Sequence, residues 1–465
     1  MNREKALAKN TLIISIGNFL PKFSSIITLP IITGGLTKVE MGTYDLISTL
    51  AVLFLPVATL QIQAAAFRFL IDVRGDEEET SRIITNIFLF ILVTSIVALA
   101  ILFLCLGKIE LLVRSLICLF FFMNILLHST QQIVRGLSNN MLYSASAIVC
   151  SLVNMFGILV CVSFLHIGLT GLLSTMIIAN GIALVMLMII ARIHRYFSFT
   201  FFSVERLRTM LEYSWPLIPN SLLLWIMNLS DRLIITAYLG VEANAIYAVA
   251  NKIPNLLTTI QNSFSAAWME NASLTVKDGD TEDYYSKMFD TIFCMVVGIT
   301  AGLLAVTPIL FKILIRGDYE DAYIQIPVLF AGMMFSVLSS FMGGIYAAHK
   351  KTKSVGYTTV VAAVFNMIIN FTFIKKIGLY AASLSTFISY FLLVIFRIID
   401  VQKFQKIRIN WKKNIVYLAT LIVMGIISTI NNDILNFINL GLGCMIVFWS
   451  NKDLIMKMLS RLSKK

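Results

Sequence analysis

The sequence predicts an all-α polytopic membrane protein, and three observations carry that reading. The chain of 465 residues is 58% hydrophobic and only 13% charged, with a mean hydropathy of +0.85. No soluble globular domain has that composition. Its apolar residues are gathered into about fourteen segments long enough, or nearly so, to cross a bilayer. The lysines and arginines between those segments fall unevenly, about 27 on one side and about seven on the other, which is the positive-inside bias of a multi-pass protein.

Taken in order, the apolar segments cover 11–33, 43–70, 83–106, 111–134, 141–165, 169–191 and 214–239, then 243–268, 289–313, 323–347, 354–374, 377–399, 414–430 and 433–450. The last two are the shortest. Connections are mostly short, so consecutive helices are expected to run antiparallel. The opening MNREKALAKN is basic, and the apolar run behind it is too long for a signal h-region, so no cleavable signal is expected. With that end inside, the basic stretches Arg192–Arg208, Arg397–Lys413 and Lys452–Lys465 also fall inside, and both termini are expected in the cytoplasm.

An internal repeat organises the first twelve segments. Ile31-Ile32-Thr33, Val39-Glu40 and Tyr44 recur as Ile234-Ile235-Thr236, Val241-Glu242 and Tyr247, offset by 203 residues. Asn154-Met155, Ile167-Gly168-Leu169 and Ser174-Thr175 recur as Asn366-Met367, Ile377-Gly378-Leu379 and Ser385-Thr386, offset by about 211. Segments 1–6 therefore match segments 7–12. The expected plan is two pseudo-symmetric six-helix bundles, 1–200 and 201–400, related by an axis along the membrane normal. Residues 401–465 add two further transmembrane helices and a basic cytoplasmic tail.

Charge inside apolar sequence marks the expected site. Lys22 lies in segment 1, Asp231 and Arg232 in segment 7, and Lys252 in segment 8, with Arg68 near the inner end of segment 2. A charge at the bilayer centre costs roughly 2.5–3.5 kcal/mol even on lenient scales, so such residues face a partner or a cavity. Counted from Pro216, Asp231 lies about 22 Å into its helix, at ~1.5 Å per residue. Two readings stand side by side: an internal ion pair pinning helices together, or a charged path for a polar substrate. Trp225, Asn228 and Arg232, at i, i+3 and i+7, share one helix face, suited to sugar and phosphate contacts or to interhelical packing. Six of the eight prolines (Pro21, Pro30, Pro56, Pro216, Pro219 and Pro254) fall in segments 1, 2, 7 and 8, where interior ones bend helices. Trp268 is expected in an interfacial aromatic belt. Asn18, Asn154, Asn366 and Asn370 are expected to be interhelical hydrogen-bond partners. The six cysteines lack CxxC spacing and read as small core residues, not disulfides or metal ligands. No HExxH, P-loop or GxSxG motif occurs.

The stretches YSWPLIPNSLLLW, SDRLIITAYLG and AIYAVANKIPNLL in segments 7 and 8, the opening NTLIISIGNFLPKFSSIITLPIITGGLTKVEMGTYDLIST and the loop RGLSNNMLYS resemble the bacterial polysaccharide-transporter (Wzx-type) flippases. These belong to the multidrug/oligosaccharidyl-lipid/polysaccharide exporter superfamily. The resemblance covers essentially the whole chain. It implies two six-helix bundles forming a V in the cytoplasmic membrane. It implies translocation of undecaprenyl-pyrophosphate-linked oligosaccharide by alternating access, for O-antigen, capsule or exopolysaccharide, alongside a polymerase and glycosyltransferases. It implies that basic residues meet the pyrophosphate, a role that Lys22, Arg232 and Lys252 match by position, with Arg68 beside them. No cofactor and no nucleic acid are implied, and the coupling ion, H+ or Na+, is left open. The rivals are a lipid II flippase and a multidrug or cation antiporter of the same superfamily. Basic charge exceeds acidic inside the segments, which argues against the antiporter. A polymerase or ligase needs a large catalytic outer loop, and the stretch around Arg316–Asp321 is too small for one.

Overall fold

The computed structural model describes residues 3–276, 278–430 and 432–462, and among them there is no strand. Among the described residues seventeen α-helices follow one another. They are α1 (Arg3–Gly35), α2 (Lys38–Thr59), α3 (Ile62–Asp72), α4 (Glu77–Cys105), α5 (Leu111–Gly136), α6 (Asn140–Ile158), α7 (Gly168–Ile190), α8 (Val204–Ser214) and α9 (Leu217–Leu239). Then come α10 (Val241–Lys252), α11 (Leu256–Thr275), α12 (Thr281–Leu314), α13 (Glu320–Ala348), α14 (Thr352–Ile377), α15 (Leu379–Val401), α16 (Trp411–Ile430) and α17 (Asp433–Leu462). Among the described residues twelve spans are long and apolar enough to cross a membrane. Of the fourteen segments expected, the first is the 33-residue α1, and the eighth is divided between α10 and α11. The protein is an all-α, multi-pass membrane protein.

Local chemistry sets the helix starts. Thr37 and Glu40 form a reciprocal capping box at α2, each satisfying the other's backbone N–H. Asp76 accepts from the N–H groups of Glu78 and Glu79 at α4, with three glutamates in the first turn facing the positive end of the helix dipole. Asn139 and Ser203 cap α6 and α8 in the same way. Gly168 and Gly378, which occupy matching places in the sequence repeat, both take positive φ (65° and 59°) as the chain turns into α7 and α15.

The chain forms two compact units, Met1–Trp225 and Ile226–Lys465. In the first, α1 packs on α6, α6 on α7, and α7 and α3 on α5. A core of Ile62, Leu70, Ile83, Ile87, Ile133 and Leu187 joins α3, α4, α5 and α7. In the second, α13 is buried along most of its length and packs on α11 and α15, with α14 against α15 and α17 against α12.

The structure corrects four expectations. Segment 2 is not one helix. Leu60 and Gln61 both adopt the left-handed conformation (φ 47° and 59°) and separate α2 from α3. For residues other than glycine this costs about 1–3 kcal/mol each, so surrounding contacts must hold it. They do: Gln61 Nε2 donates to Ser221 Oγ at 2.6 Å, and Gln63 Nε2 donates to Gln61 Oε1 at 3.1 Å. Segment 8 breaks at Ile253–Asn255, around Pro254, which lacks the N–H a continuing helix needs. Trp268 is no belt residue. It is 1% exposed, stacks on Phe341 at 4.5 Å between ring centroids and donates Nε1–H to the Phe341 carbonyl at 2.8 Å. Gly344 opens the slot, since a Cβ there would lie 2.4 Å from Trp268 Cδ1. Finally, of the cysteines, all free, only Cys294 is fully buried, and Cys105 and Cys444 are exposed.

Three of the expected asparagines do bridge helices; the side chain of Asn18 lies outside the described residues. Thr175 of α7 donates to Asn154 Oδ1 of α6 at 3.2 Å. In the second unit, Asn366, the repeat counterpart of Asn154, and Asn370 of α14 donate to Ser385 Oγ of α15 at 3.4 and 2.7 Å.

Candidate functional site

The second unit holds a polar cluster centred on Asp231. Its carboxylate is 2% exposed within α9, a helix otherwise apolar enough to span. A buried carboxylate must be paired or hydrogen-bonded to survive, and three other helices supply donors. Tyr247 Oη of α10 donates to Oδ2 at 2.9 Å, Thr386 Oγ1 of α15 donates to Oδ2 at 2.8 Å, and Asn370 Nδ2 of α14 donates to Oδ1 at 2.6 Å. Asn370 Oδ1, buried beside them, has no hydrogen-bond partner among the described residues. One acid thus ties α9, α10, α14 and α15 together and sits next to an unsatisfied amide oxygen.

Arg232, the next residue, is also buried, with its Nη1 3.5 Å from the Asn228 carbonyl and its own carbonyl accepting from Thr236 Oγ1 at 2.7 Å. The Asn228 side chain is exposed, and its Oδ1 accepts from Tyr390 Oη of α15 at 2.7 Å. Lys252 is the last residue of α10, half-buried, directly before the Pro254 break. Asp231, Arg232, Asn228 and Lys252 therefore lie in one unit, the first three within a single stretch of α9.

The other expected residues lie in the first unit. Lys22 is exposed on α1, between the helix prolines Pro21 and Pro30. Arg68 is exposed on α3 and paired at 2.5 Å with Asp72, one turn further on. Trp225 is buried and gives its indole N–H to the Thr49 carbonyl of α2 at 3.1 Å. Its polar atom is spent on packing, so the stripe of Trp225, Asn228 and Arg232 does not present three free groups.

Sequence reasoning missed Arg397, which it counted only among the inner-side basic residues at the end of segment 12. It is 4% exposed in α15 and reaches only neutral oxygens. Nη1 donates to the Ser339 carbonyl at 2.7 Å, Nε to Thr358 Oγ1 at 3.1 Å and Nη2 to Thr359 Oγ1 at 3.1 Å. This guanidinium clamps α13, α14 and α15. The second unit also has an apolar cavity of about 430 Å³, with Pro327, Phe335, Phe387, Phe391, Leu421 and Gly425 in its lining. Among the described residues no cluster of three His, Cys, Asp or Glu could hold a metal ion.

Comparison with known proteins gives the class. The chain matches the family described as "Polysaccharide biosynthesis protein" over residues 7–269, more than half its length, and it belongs to that family. No curated protein matches it by sequence. Its fold is shared with solved transporters of low identity. A lipid II flippase MurJ in an inward closed conformation has a TM-score of 0.72 at 14% identity, covering 96% of this chain and 100% of that one. A multidrug resistance MATE transporter in an outward-facing conformation gives 0.58 at 13% identity, covering 90% and 96%. A multidrug/oligosaccharidyl-lipid/polysaccharide superfamily transporter from Pyrococcus furiosus, described as having a binding pocket of reversed polarity, gives 0.57 at 13%, covering 86% and 96%. The chain is thus a member of a polysaccharide biosynthesis family with the fold of these solved transporters.

Proposed function

We propose that this transporter moves undecaprenyl-pyrophosphate-linked oligosaccharide units from the inner to the outer leaflet of the bacterial cytoplasmic membrane, supplying surface polysaccharide by alternating access. The observation that carries the proposal is the family match over 7–269, which names polysaccharide biosynthesis. The load is an anionic head on a long prenyl chain. Lys22, Arg232 and Lys252 supply the cationic charge that lowers the cost of taking pyrophosphate out of water, and arginine's planar fork suits phosphate oxygens. Arg68 would join them only by leaving Asp72. Discontinuous helices in both units, at Leu60–Gln61 and Ile253–Asn255, are the breaks expected of a carrier that rearranges around its load.

We infer that any coupling to H+ or Na+ acts through Asp231. A proton or a small cation exchanging at its carboxylate would compete with Tyr247, Asn370 and Thr386 for the same oxygens and would loosen four helices at once. The unpartnered Asn370 Oδ1 offers a cation one more ligand. Both termini are taken to be cytoplasmic, with a polymerase and glycosyltransferases as working neighbours.

One second reading has an observation of its own. The fold matches MurJ over nearly the full length of both chains, which favours a lipid II flippase. Leaflet-resolved assay of lipid-linked sugars in a deletion strain separates the two. Build-up of inner-leaflet oligosaccharide with unimpaired cell-wall synthesis supports the polysaccharide reading. Build-up of inner-leaflet lipid II supports the other, and no accumulation of either overturns both.

A further inference from the structure

The connection between α7 and α9 carries a face on which none of the described residues packs. Its inner side is fixed in the first unit: Ile193 and Met210 are fully buried in the core, with Leu207 and Leu211 packed against it. The backbone is tied down as well. Thr85 Oγ1 donates to the Tyr196 carbonyl and accepts from Ser198 N–H, Asn86 Oδ1 accepts from Ser203 N–H, and Arg206 pairs with Glu79. This is a built surface, held in place by α4.

Its outer side is apolar and cationic at once. Phe199 is 73% exposed and Val204 69%, with Phe202 beside them. Phe199 stands at the end of an edge-to-face stack that runs from Phe88 through Phe197. Arg192 and Arg195 are exposed just before this apolar edge, Arg192 in the left-handed conformation. Arginines nearby are spent on acids: Arg82 on Glu78 and Glu79, Arg206 on Glu79, Arg208 on Glu212. Arg192 and Arg195 meet no carboxylate among the described residues. The position along the chain sets the depth. The span Gly168–Ile190 ends two residues before Arg192, so the segment leaves the bilayer at its surface. Aromatic rings at the level of the headgroups, flanked by arginine, are the pattern of an interfacial anchor, and unpaired arginine there selects for acidic lipid.

We propose that residues 192–204 form a docking surface for acidic phospholipid, with Phe199, Phe202 and Val204 set among the upper acyl chains and Arg192 and Arg195 on the headgroup phosphates. The inference is independent of which lipid-linked sugar the protein carries. It gives the first unit a fixed footing on the membrane surface, next to the link that leads into α9.

The test uses the full chain in nanodiscs of phosphatidylcholine with or without phosphatidylglycerol, with hydrogen exchange followed across 197–205. Exchange is expected to slow when phosphatidylglycerol is present. The double variant Arg192→Gln with Arg195→Gln should abolish that difference, with apparent affinity for the acidic lipid falling about five-fold for each arginine lost. Arg192→Lys with Arg195→Lys keeps the charge and should keep most of the protection, which separates lost binding from lost folding. Arg208→Gln, whose guanidinium is already paired, should change nothing. Equal protection in both lipids, or protection unmoved by the two glutamines, overturns the proposal. So does protection that follows the protein-to-lipid ratio instead of lipid charge, since that outcome would assign the surface to a second copy of the chain.

Discussion

Replacing Asp231 with alanine tests the polar cluster most severely. Three donors, Tyr247 Oη, Thr386 Oγ1 and Asn370 Nδ2, would lose their acceptor in a region closed to water. Each buried donor left unpaired costs about 1–3 kcal/mol, an upper sum of roughly 3–9 kcal/mol. Partial repair lowers that figure, because Thr386 can turn to a backbone carbonyl of its own helix and Asn370 already lies 3.3 Å from Asn366 Oδ1. A net loss of about 3–5 kcal/mol is expected, as for other broken buried charge clusters. Asp231→Asn keeps the shape and one accepting oxygen, so about 1–3 kcal/mol is expected there. Thermal unfolding of purified protein in one detergent, followed by loss of monodisperse material on size exclusion, ranks the variants. The expected order is wild type, Asp231→Asn, then Asp231→Ala. If Asp231→Ala is as stable as wild type, the carboxylate does not organise α9, α10, α14 and α15, and the cluster as described is wrong.

Three further predictions follow from local geometry. Leu60→Gly removes the left-handed penalty at the α2–α3 break and should raise stability by about 1 kcal/mol, whereas Leu60→Val should lower it; a fall for the glycine variant would mean that the break is absent. Gly344→Ala puts a methyl group into the Trp268 ring and should cost about 1–3 kcal/mol while changing tryptophan emission, and an unchanged spectrum would contradict the packing. Arg397→Ala leaves the Ser339 carbonyl and the Thr358 and Thr359 hydroxyls without their donor and should lose stability by about 1–3 kcal/mol, and Arg397→Lys, which reaches fewer of these oxygens, by less; equal effects would deny the fork geometry its role.

Much of the fold was legible because lipid imposes one rule on every span. Long apolar runs must be helices, and basic residues must gather on one side. Gly168 and Gly378, which the sequence repeat pairs, share a positive φ, which explains why glycine stands at both turns. The break at Leu60–Gln61 was not legible. No glycine marks it, and the contact with Ser221 that holds it comes from 160 residues away. Arg397 was missed because a polar stretch from Asp400 to Lys406 follows at once, so a buried cation looked like one more inner-side basic residue. Tyr247, Asn370 and Thr386 had been noticed, as repeat markers or helix glue. Only tertiary structure turns three neutral polar side chains toward one acid. Trp268 stood near a helix end, where belts are common; the Gly343-Gly344 pair that could have revealed its slot lies on another helix.

The central claim is that Lys22, Arg232 and Lys252 meet the anionic head of a lipid-linked sugar. The direct measurement is surface polysaccharide, with leaflet-resolved lipid-linked oligosaccharide, in cells carrying Lys22→Ala, Arg232→Ala or Lys252→Ala at matched membrane abundance. The account predicts that each variant inserts and folds, that inner-leaflet oligosaccharide accumulates, and that surface polysaccharide falls. Arg232→Lys should retain part of the activity, and Lys252→Glu should be worse than Lys252→Ala, because repulsion of the diphosphate is added to lost attraction. Normal polysaccharide in all three well-expressed alanine variants would contradict it.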